Sequence, residues 1–269
     1  MSKPSSGDFA THDESAYPEF WDGVVGAWCP SLGQTGLRLH DNSRFVNWGT
    51  LTNMDATTDW ILSGGQYALN FAGTRRVSTS RPLISGTQGF TLSVWVFLTG
   101  TTGYRTVCGN YGSGNSTGVQ ITIWQATGGV PANAPTVYYG STAINATTGA
   151  TANVWNHVAA TRSGNAVTIF LNGVQVGSGT NAGSVGTSRN WTLGQDTDST
   201  AEPMIGYIDD HAVYSRPLTA NEIQRLYLLG RGGMYERRRR TLRRVAVEQA
   251  GFRAYWARRN SQIIGGGVR

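Results

Sequence analysis

Acidic side chains are absent from the middle of this 269-residue chain, and their distribution bears directly on catalysis. No aspartate or glutamate occurs between Asp59 and Asp196. Hydrolysis of a glycosidic bond needs two carboxyl groups, about 5–10 Å apart, that flank the bond. The central part of the chain lacks that pair, so we expect a protein that is not an enzyme.

Histidines and glycine-rich loops, which build many metal and phosphate sites, also lack the spacing that such sites need. The four histidines, His12, His40, His157 and His211, lie in separate motifs without the spacing of metal ligands. No glycine-rich phosphate-binding loop precedes a predicted helix. The sequence therefore favours a binding or structural function over catalysis.

One aromatic residue lies on an otherwise polar strand face. The sequence from 119 to 125 alternates, which predicts a strand whose valine and isoleucines point inward. Trp124 and Gln120 then point outward, where Tyr138 of a later predicted strand can join them. Sugars bind proteins by stacking on aromatic rings next to polar donors. We therefore predict a carbohydrate site at Trp124, Gln120 and Tyr138; the alternative is that Trp124 packs under a loop or against a neighbouring subunit.

Period-two hydrophobic patterns dominate the rest of the chain. Residues 90–98 alternate with almost continuous apolarity, which predicts a strand in the middle of a sheet. Hairpin turns are predicted at 163–165 and at the Asn-Gly pair 172–173. A last predicted strand, 204–214, precedes a short helix that opens with a capping box at Thr219. These patterns predict an all-β protein with two antiparallel sheets.

A family resemblance is carried by two blocks of sequence: WNHVAATRSGNAVTIFLNGVQVG at 155–177 and IGYIDDHAVYSRPLTANEIQRLY at 205–227. They resemble the laminin G-like jelly-roll family of concanavalin A-like lectins and glucanases. The segment GFTLSVWVFLT at 89–99 is similar to that family's central strand, and the resemblance extends over residues 22–229. It implies a single antiparallel jelly-roll sandwich.

The resemblance also implies one cofactor. In the family an aspartate of the Ile-Asp-Asp pattern often helps to hold a structural calcium ion, and this pattern places Asp209 and Asp210 there. Calcium takes six to eight oxygen ligands, so backbone carbonyls would have to complete the site. The alternative is that both carboxylates only accept hydrogen bonds from backbone groups. We expect no other cofactor.

Charge divides the chain into two parts. Residues 1–230 carry a net charge of −3, whereas residues 231–269 carry +9. The basic part is predicted to be an α-helical tail with apolar residues at a 3-4 spacing among arginines. Its expected partner-anchoring residues are Arg237, Arg238, Arg239, Arg240, Leu242, Arg243, Arg244, Val245, Phe252, Tyr255 and Trp256. Nucleic-acid binding, binding to a membrane surface and disorder are alternatives for such a tail, but the apolar stripe favours docking on a protein partner.

The tail also resembles endings attached to laminin G-like domains in bacteriophage structural proteins. We therefore expect an N-terminal arm (1–21), a sandwich (22–230) and a basic helical anchor (231–269). The expected function is that of a non-enzymatic virion protein, a head decoration or a tail or fibre component. Its expected partners are other virion proteins, further copies of itself and host surface glycans, with no membrane-spanning segment. The alternative is a free-standing carbohydrate-binding module or lectin.

Overall fold

A computed structural model of the chain describes residues 17–100, 103–112, 117–124, 126, 128–196 and 202–235. Every anchoring residue predicted in the basic tail lies outside the described residues. Within these ranges the chain forms strands and one α-helix. The strands are β1 (Val24–Trp28), β2 (Arg38–Leu39), β3 (Gly49–Thr52), β4 (Trp60–Ser63), β5 (Gln66–Phe71), β6 (Arg76–Ser78), β7 (Phe90–Leu98), β8 (Arg105–Gly109), β9 (Val119–Trp124), β10 (Ala134–Tyr139), β11 (Thr142–Asn145), β12 (Trp155–Ser163), β13 (Ala166–Leu171), β14 (Val174–Thr180), β15 (Thr192–Leu193) and β16 (Gly206–Tyr214), and the helix is α1 (Ala220–Leu229).

The strands form two antiparallel sheets that face one another. The first sheet has the order β14-β13-β12-β7-β16-β5-β4, with β1 paired to β16. The second sheet has the order β11-β10-β9-β8-β15-β6-β3-β2. Neighbours that are distant in sequence, such as β7 and β16, pair because the chain repeatedly crosses between the sheets. The predicted all-β jelly-roll sandwich is confirmed.

The core between the sheets follows from strand alternation. In β7 the side chains of Phe90, Leu92, Val94, Val96 and Leu98 are all fully buried in one apolar cluster. The inward residues of β9 and β12 join the same cluster from either side of the sandwich. Burial of apolar surface at about 25 cal/mol per Å² makes this cluster the main source of stability. The predicted inward face of the central strand is thus confirmed.

The outer face of the first sheet is covered by α1. Thr219 caps the helix: its hydroxyl accepts the N–H of Glu222, and the Glu222 carboxylate accepts the N–H of Thr219 at 2.8 Å. This confirms the predicted capping box. The helix contributes to a second apolar cluster whose members include Phe20, Trp21, Phe170, Tyr214, Ile223, Leu226, Met234 and Tyr235.

The end of the N-terminal lead-in belongs to this second cluster. The sequence predicts an extended arm, but Pro18–Phe20 forms a 3-10 turn. Phe20 is fully buried and the Trp21 ring packs edge-on against Tyr235 with ring centres 5.3 Å apart. The large aromatic side chains are responsible, since they stabilise the fold more when buried than when exposed.

The outer face of the second sheet carries no helix in the described part of the chain, and its residues align from strand to strand. The registers place Arg38, Thr50, Ser78, Thr192, Gly109, Gln120, Tyr138 and Ala143 opposite one another in turn across all eight strands. We call this alignment the cross-sheet row. Among the described residues, no helix is long and apolar enough to cross a bilayer.

Candidate functional site

Four aromatic side chains meet on the outer face of the second sheet. The Trp124 and Tyr138 rings stack with centres 5.4 Å apart and planes 20° from parallel. Tyr104 meets the Trp124 ring edge-on at 4.7 Å, and Tyr111 lies 5.6 Å from Tyr138. All four residues are partly exposed. We call this cluster the aromatic platform.

Strand register explains how Trp124 and Tyr138 come together. Tyr138 of β10 lies opposite Gln120 of β9, and Thr136 lies opposite Thr122. Trp124 lies two pairs further along β9 on the same face. The two side chains therefore start on either side of the threonine pair and lean over it, since their ring centres are only 5.4 Å apart.

The strands beneath the platform present buried polar atoms. Thr122 Oγ1, Thr106 Oγ1 and Gln120 Oε1 are inaccessible to solvent and have no hydrogen-bond partner within the described ranges. The indole N–H of Trp124 is likewise inaccessible to solvent and has no hydrogen-bond partner in those ranges. A buried donor or acceptor without a partner costs about 1–3 kcal/mol, so a group of them is unusual in a folded protein. A ligand hydroxyl or a water would find hydrogen-bond partners in these atoms only if the aromatic side chains above them moved aside.

Two carboxylates approach this face from the loop between β15 and β16. The carbonyl oxygen of Glu202 accepts the N–H of Thr106 in β8 at 2.9 Å, which fixes Glu202 beside the sheet. Desolvation, followed by the nearby charge of Asp196, raises the pKa of Glu202. Desolvation and then the charge of Glu202 raise the pKa of Tyr138 to about 12. Tyr138 therefore remains a neutral phenol that can donate a hydrogen bond at physiological pH.

The predicted calcium residues lie on the other sheet, at a β-bulge in β16. Asp209 Oδ1 accepts the N–H groups of Ser31 at 3.0 Å and of Asp210 at 2.8 Å, and its Oδ2 lies 3.3 Å from Arg231 Nη1. Asp210 Oδ2 accepts the N–H of Gly232 at 2.8 Å. These are the backbone contacts expected under the alternative to metal binding, and the calcium site remains a prediction. Within the described ranges, no three His, Cys, Asp or Glu side chains are grouped so as to hold a metal ion.

The buried histidines serve packing rather than ligand binding. His211 lies between Trp28 and Trp191, both nearly parallel to its ring. Its Nδ1 donates to the carbonyl of Ser93 at 3.0 Å, so its Nε2 is free to accept the indole N–H of Trp191 at 3.0 Å. Burial lowers the pKa of His211 to about 4 and that of His157 to about 3. Both rings are therefore neutral at physiological pH.

Both cysteines fit the same pattern of structural burial. Cys29 and Cys108 are both buried, and no disulfide joins them. Burial raises the pKa of the Cys108 thiol well above its usual range. The thiol is therefore protonated and unreactive.

Comparison with known families agrees with this geometry. A laminin G-like family model, described as the concanavalin A-like lectin/glucanases superfamily, matches residues 71–224, which is more than half of the chain. The chain belongs to that superfamily. No curated protein matches the sequence.

Solved structures with the same sandwich fold include proteins that bind or act on carbohydrates. One is domain 4 of AbnA, an extracellular GH43 arabinanase from Geobacillus stearothermophilus solved in complex with arabinotriose; it has a TM-score of 0.60 and 20% identity, and the match covers 76% of this chain and 98% of that domain. A structure from work on botulinum neurotoxin type C, whose cell entry depends on interaction with two ganglioside molecules, has a TM-score of 0.57 and 14% identity over 79% of this chain and 52% of the toxin chain. The Trypanosoma rangeli sialidase has a TM-score of 0.54 and 15% identity over 77% of this chain and 33% of the enzyme. At these identities the likeness concerns the fold alone.

The structure brings together all three residues of the predicted sugar site. Trp124 and Tyr138 are partly exposed in the platform, while Gln120 is 2% exposed beneath it. Sequence reasoning missed Tyr104 and Tyr111, which extend the platform. The sequence marks Asp196 as part of an acidic surface loop that is a second calcium candidate, but it does not connect Asp196 or Glu202 with the platform.

Proposed function

We propose that this sandwich is a carbohydrate-binding domain whose sugar site is the aromatic platform. The observation that supports it is the platform itself, a stacked Trp124–Tyr138 pair above strands with polar atoms that no described residue hydrogen-bonds. An aromatic face binds the apolar face of a sugar ring, and polar atoms next to it bind the hydroxyl groups. The solved sandwiches that contact sugars support the same function by analogy.

The two carboxylates fit a binding role. Glu202, with its raised pKa, can accept a hydrogen bond from a sugar hydroxyl when ionised and donate one when protonated. Gln120, opposite Tyr138 on the same face, adds an amide group. The site thus offers both donors and acceptors, which neutral sugars require.

A binding experiment on the full chain tests this function. We expect Trp124→Ala and Tyr138→Ala to weaken binding to neutral oligosaccharides, arabino-oligosaccharides among them, by about tenfold or more. The matched control is Tyr207→Ala, which removes a half-buried tyrosine stacked on Phe97 on the outer face of the other sheet. Affinities come from a glycan array followed by calorimetry. Equal losses in platform and control variants, or no binding by the wild type to any neutral glycan, would refute the proposal.

Hydrolysis is the second candidate, and one observation favours it: Asp196 and Glu202 form a carboxylate pair next to the platform, with the pKa of Glu202 raised. A raised pKa is typical of a general acid in a glycosidase. We propose binding without cleavage, because the strands of both sheets contribute no carboxylate to this face. Release of reducing ends by the wild type, abolished in Glu202→Gln, would establish hydrolysis instead.

The virion role is a finer proposal that rests on the tail sequence. We propose that residues 236–269, the part of the basic tail beyond the buried Tyr235, attach the sandwich to other virion proteins, with several copies of the chain arranged together. Supporting it are the strong positive charge of the tail and the apolar residues among its arginines. Co-sedimentation with phage particles should be lost when residues 236–269 are removed and kept in Trp124→Ala. Full co-sedimentation without the tail would refute this part of the proposal.

A further inference from the structure

A concave surface lies on the outer face of the second sheet, at the end opposite the platform. It is a groove of about 460 Å³, within the size range of ligand sites. Its walls include Arg38, Trp48, Thr50, Thr52, Arg76 and Ser78. We call it the basic groove.

Strand register builds this groove from three short strands. Arg38 of β2 lies opposite Thr50 of β3, which in turn lies opposite Ser78 of β6. Thr52 lies opposite Arg76 on the same pair of strands. Because side chains alternate along a strand, the residues between them point into the core and these five share the outer face.

The groove contains donors that the described part of the chain does not satisfy. Neither Arg38 nor Arg76 forms an ion pair with a described carboxylate. Arg38 instead lies with its guanidinium carbon 5.1 Å from the centre of the Trp48 ring. The Nε of Arg76 and the Nε1 of Trp48 are inaccessible to solvent and have no hydrogen-bond partner within the described ranges.

The chemistry of these groups indicates the kind of ligand. The arginine guanidinium and the indole N–H can only donate hydrogen bonds. A guanidinium also presents its donors in a fork that fits two oxygens of a carboxylate or of a sulfate ester. Threonine and serine hydroxyls can complete the set around the same oxygens. A neutral sugar has no charge to balance two guanidinium groups that pair with no described carboxylate.

We propose that the basic groove binds the acidic group of a glycan, a sugar carboxylate or a sulfate ester. The proposal rests on the proposed function of the platform, because both surfaces lie on the outer face of the second sheet. From Ser78 to Gln120 the cross-sheet row takes three strand steps, a distance of about 14 Å. A glycan that stacks on the platform and runs across the strands would place a later, acidic sugar in the groove.

The test compares ligands that differ only in charge. One pair is oligogalacturonate and its fully methyl-esterified form, and the other is dextran sulfate and dextran. The full chain is used as wild type, Arg38→Gln/Arg76→Gln and Trp124→Ala. Arg225→Gln is the control for lost charge, since Arg225 pairs with Glu19 on the helix-covered side. Arg38→Gln alone, at an exposed position, serves if the double variant does not fold.

We expect the wild type to bind the acidic member of at least one pair about tenfold more tightly than the neutral member. The pair that shows this preference tells whether a carboxylate or a sulfate is bound. The groove variants should lose the preference and keep their affinity for the neutral member, while Arg225→Gln changes neither. Absence of the preference in both pairs, or its persistence in the groove variants, would overturn the proposal.

Trp124→Ala separates this proposal from the function proposed for the platform. If both sites act together, this variant weakens binding of acidic and neutral members alike. If Trp124→Ala changes the affinity for neither ligand, the platform proposal fails. A preference for the acidic ligand that depends on Arg38 and Arg76 would still establish the groove.

Discussion

Arg231 stabilises the junction between α1 and the sheets, and its removal makes a sharp test of the structure. Its guanidinium lies 3.3 Å from Asp209 Oδ2 and also donates to the carbonyl of Ser63. It lies 4.0 Å from the centre of the Trp155 ring. The Arg231 side chain is 8% exposed and that of Asp209 is fully buried, so this ion pair is almost completely shielded from water.

The expected effect of Arg231→Ala follows from that burial. Removing one partner of a buried ion pair leaves the other charge without compensation and costs about 3–5 kcal/mol. The lost cation–π contact with Trp155 is part of the same loss, at about 0.5–2 kcal/mol. For a domain of this size each kcal/mol corresponds to about 2–4 °C, so the melting midpoint should fall by about 6–20 °C.

The measurement is denaturant unfolding combined with a double-mutant cycle. Asp209→Asn keeps the Oδ1 oxygen that accepts two backbone N–H groups but removes the charge. The double variant Asp209→Asn/Arg231→Met should therefore be more stable than Arg231→Met alone, by about 1 kcal/mol or more in the free energy of unfolding. The control is Arg225→Ala, which breaks an exposed pair with Glu19 and should cost at most about 1 kcal/mol. A loss in Arg231→Ala no larger than in Arg225→Ala would refute the reasoning.

Three further predictions concern pH, packing and calcium. The pKa of His211 is lowered to about 4 and that of His157 to about 3, below the value near 6.5 expected in the unfolded chain, so the unfolded state binds more protons in acid. Stability should fall from about pH 6.5 downward, by up to about 1.4 kcal/mol per pH unit for each histidine, and denaturant midpoints that stay constant between pH 7 and pH 5 would contradict this. Gly206→Ala should cost more than about 3 kcal/mol or prevent folding, because an added Cβ would lie 2.0 Å from a carbonyl oxygen of β7, and an unchanged melting midpoint would contradict that contact. If calcium binds at Asp209 and Asp210, millimolar calcium should raise the melting midpoint of the wild type but not of Asp210→Asn, and equal midpoints with calcium and with a chelator would exclude the site.

Much of the sandwich could be predicted because local chemistry and tertiary structure agree there. Residues 90–98 alternate in the way that a two-faced strand demands, and β7 has these bounds. Asn172 and Gly173 both have positive φ, as a tight Asn-Gly hairpin requires. The capping box at Thr219 satisfies backbone donors that any helix start exposes. In each case a few adjacent residues determine the structure.

The basic groove could not be predicted, because its residues share no local pattern. Arg38 and Arg76 are far apart in the chain, and β2 and β6 are two and three residues long. Such short strands carry no readable alternation, and only pairing through β3 places both arginines on one face. The same holds for Glu202, which reaches the platform through one backbone hydrogen bond to Thr106.

The outer faces of the two sheets differ, because α1 packs on one of them and the candidate ligand surfaces lie on the other. Met234 and Tyr235, the last described residues, are buried in the layer of α1 on the outer face of the first sheet. The polypeptide that continues from there starts at the back of the domain, while the aromatic platform and the basic groove lie at the front. A partner held by the C-terminal segment, as proposed above, would therefore be tethered from the face opposite the two candidate ligand surfaces.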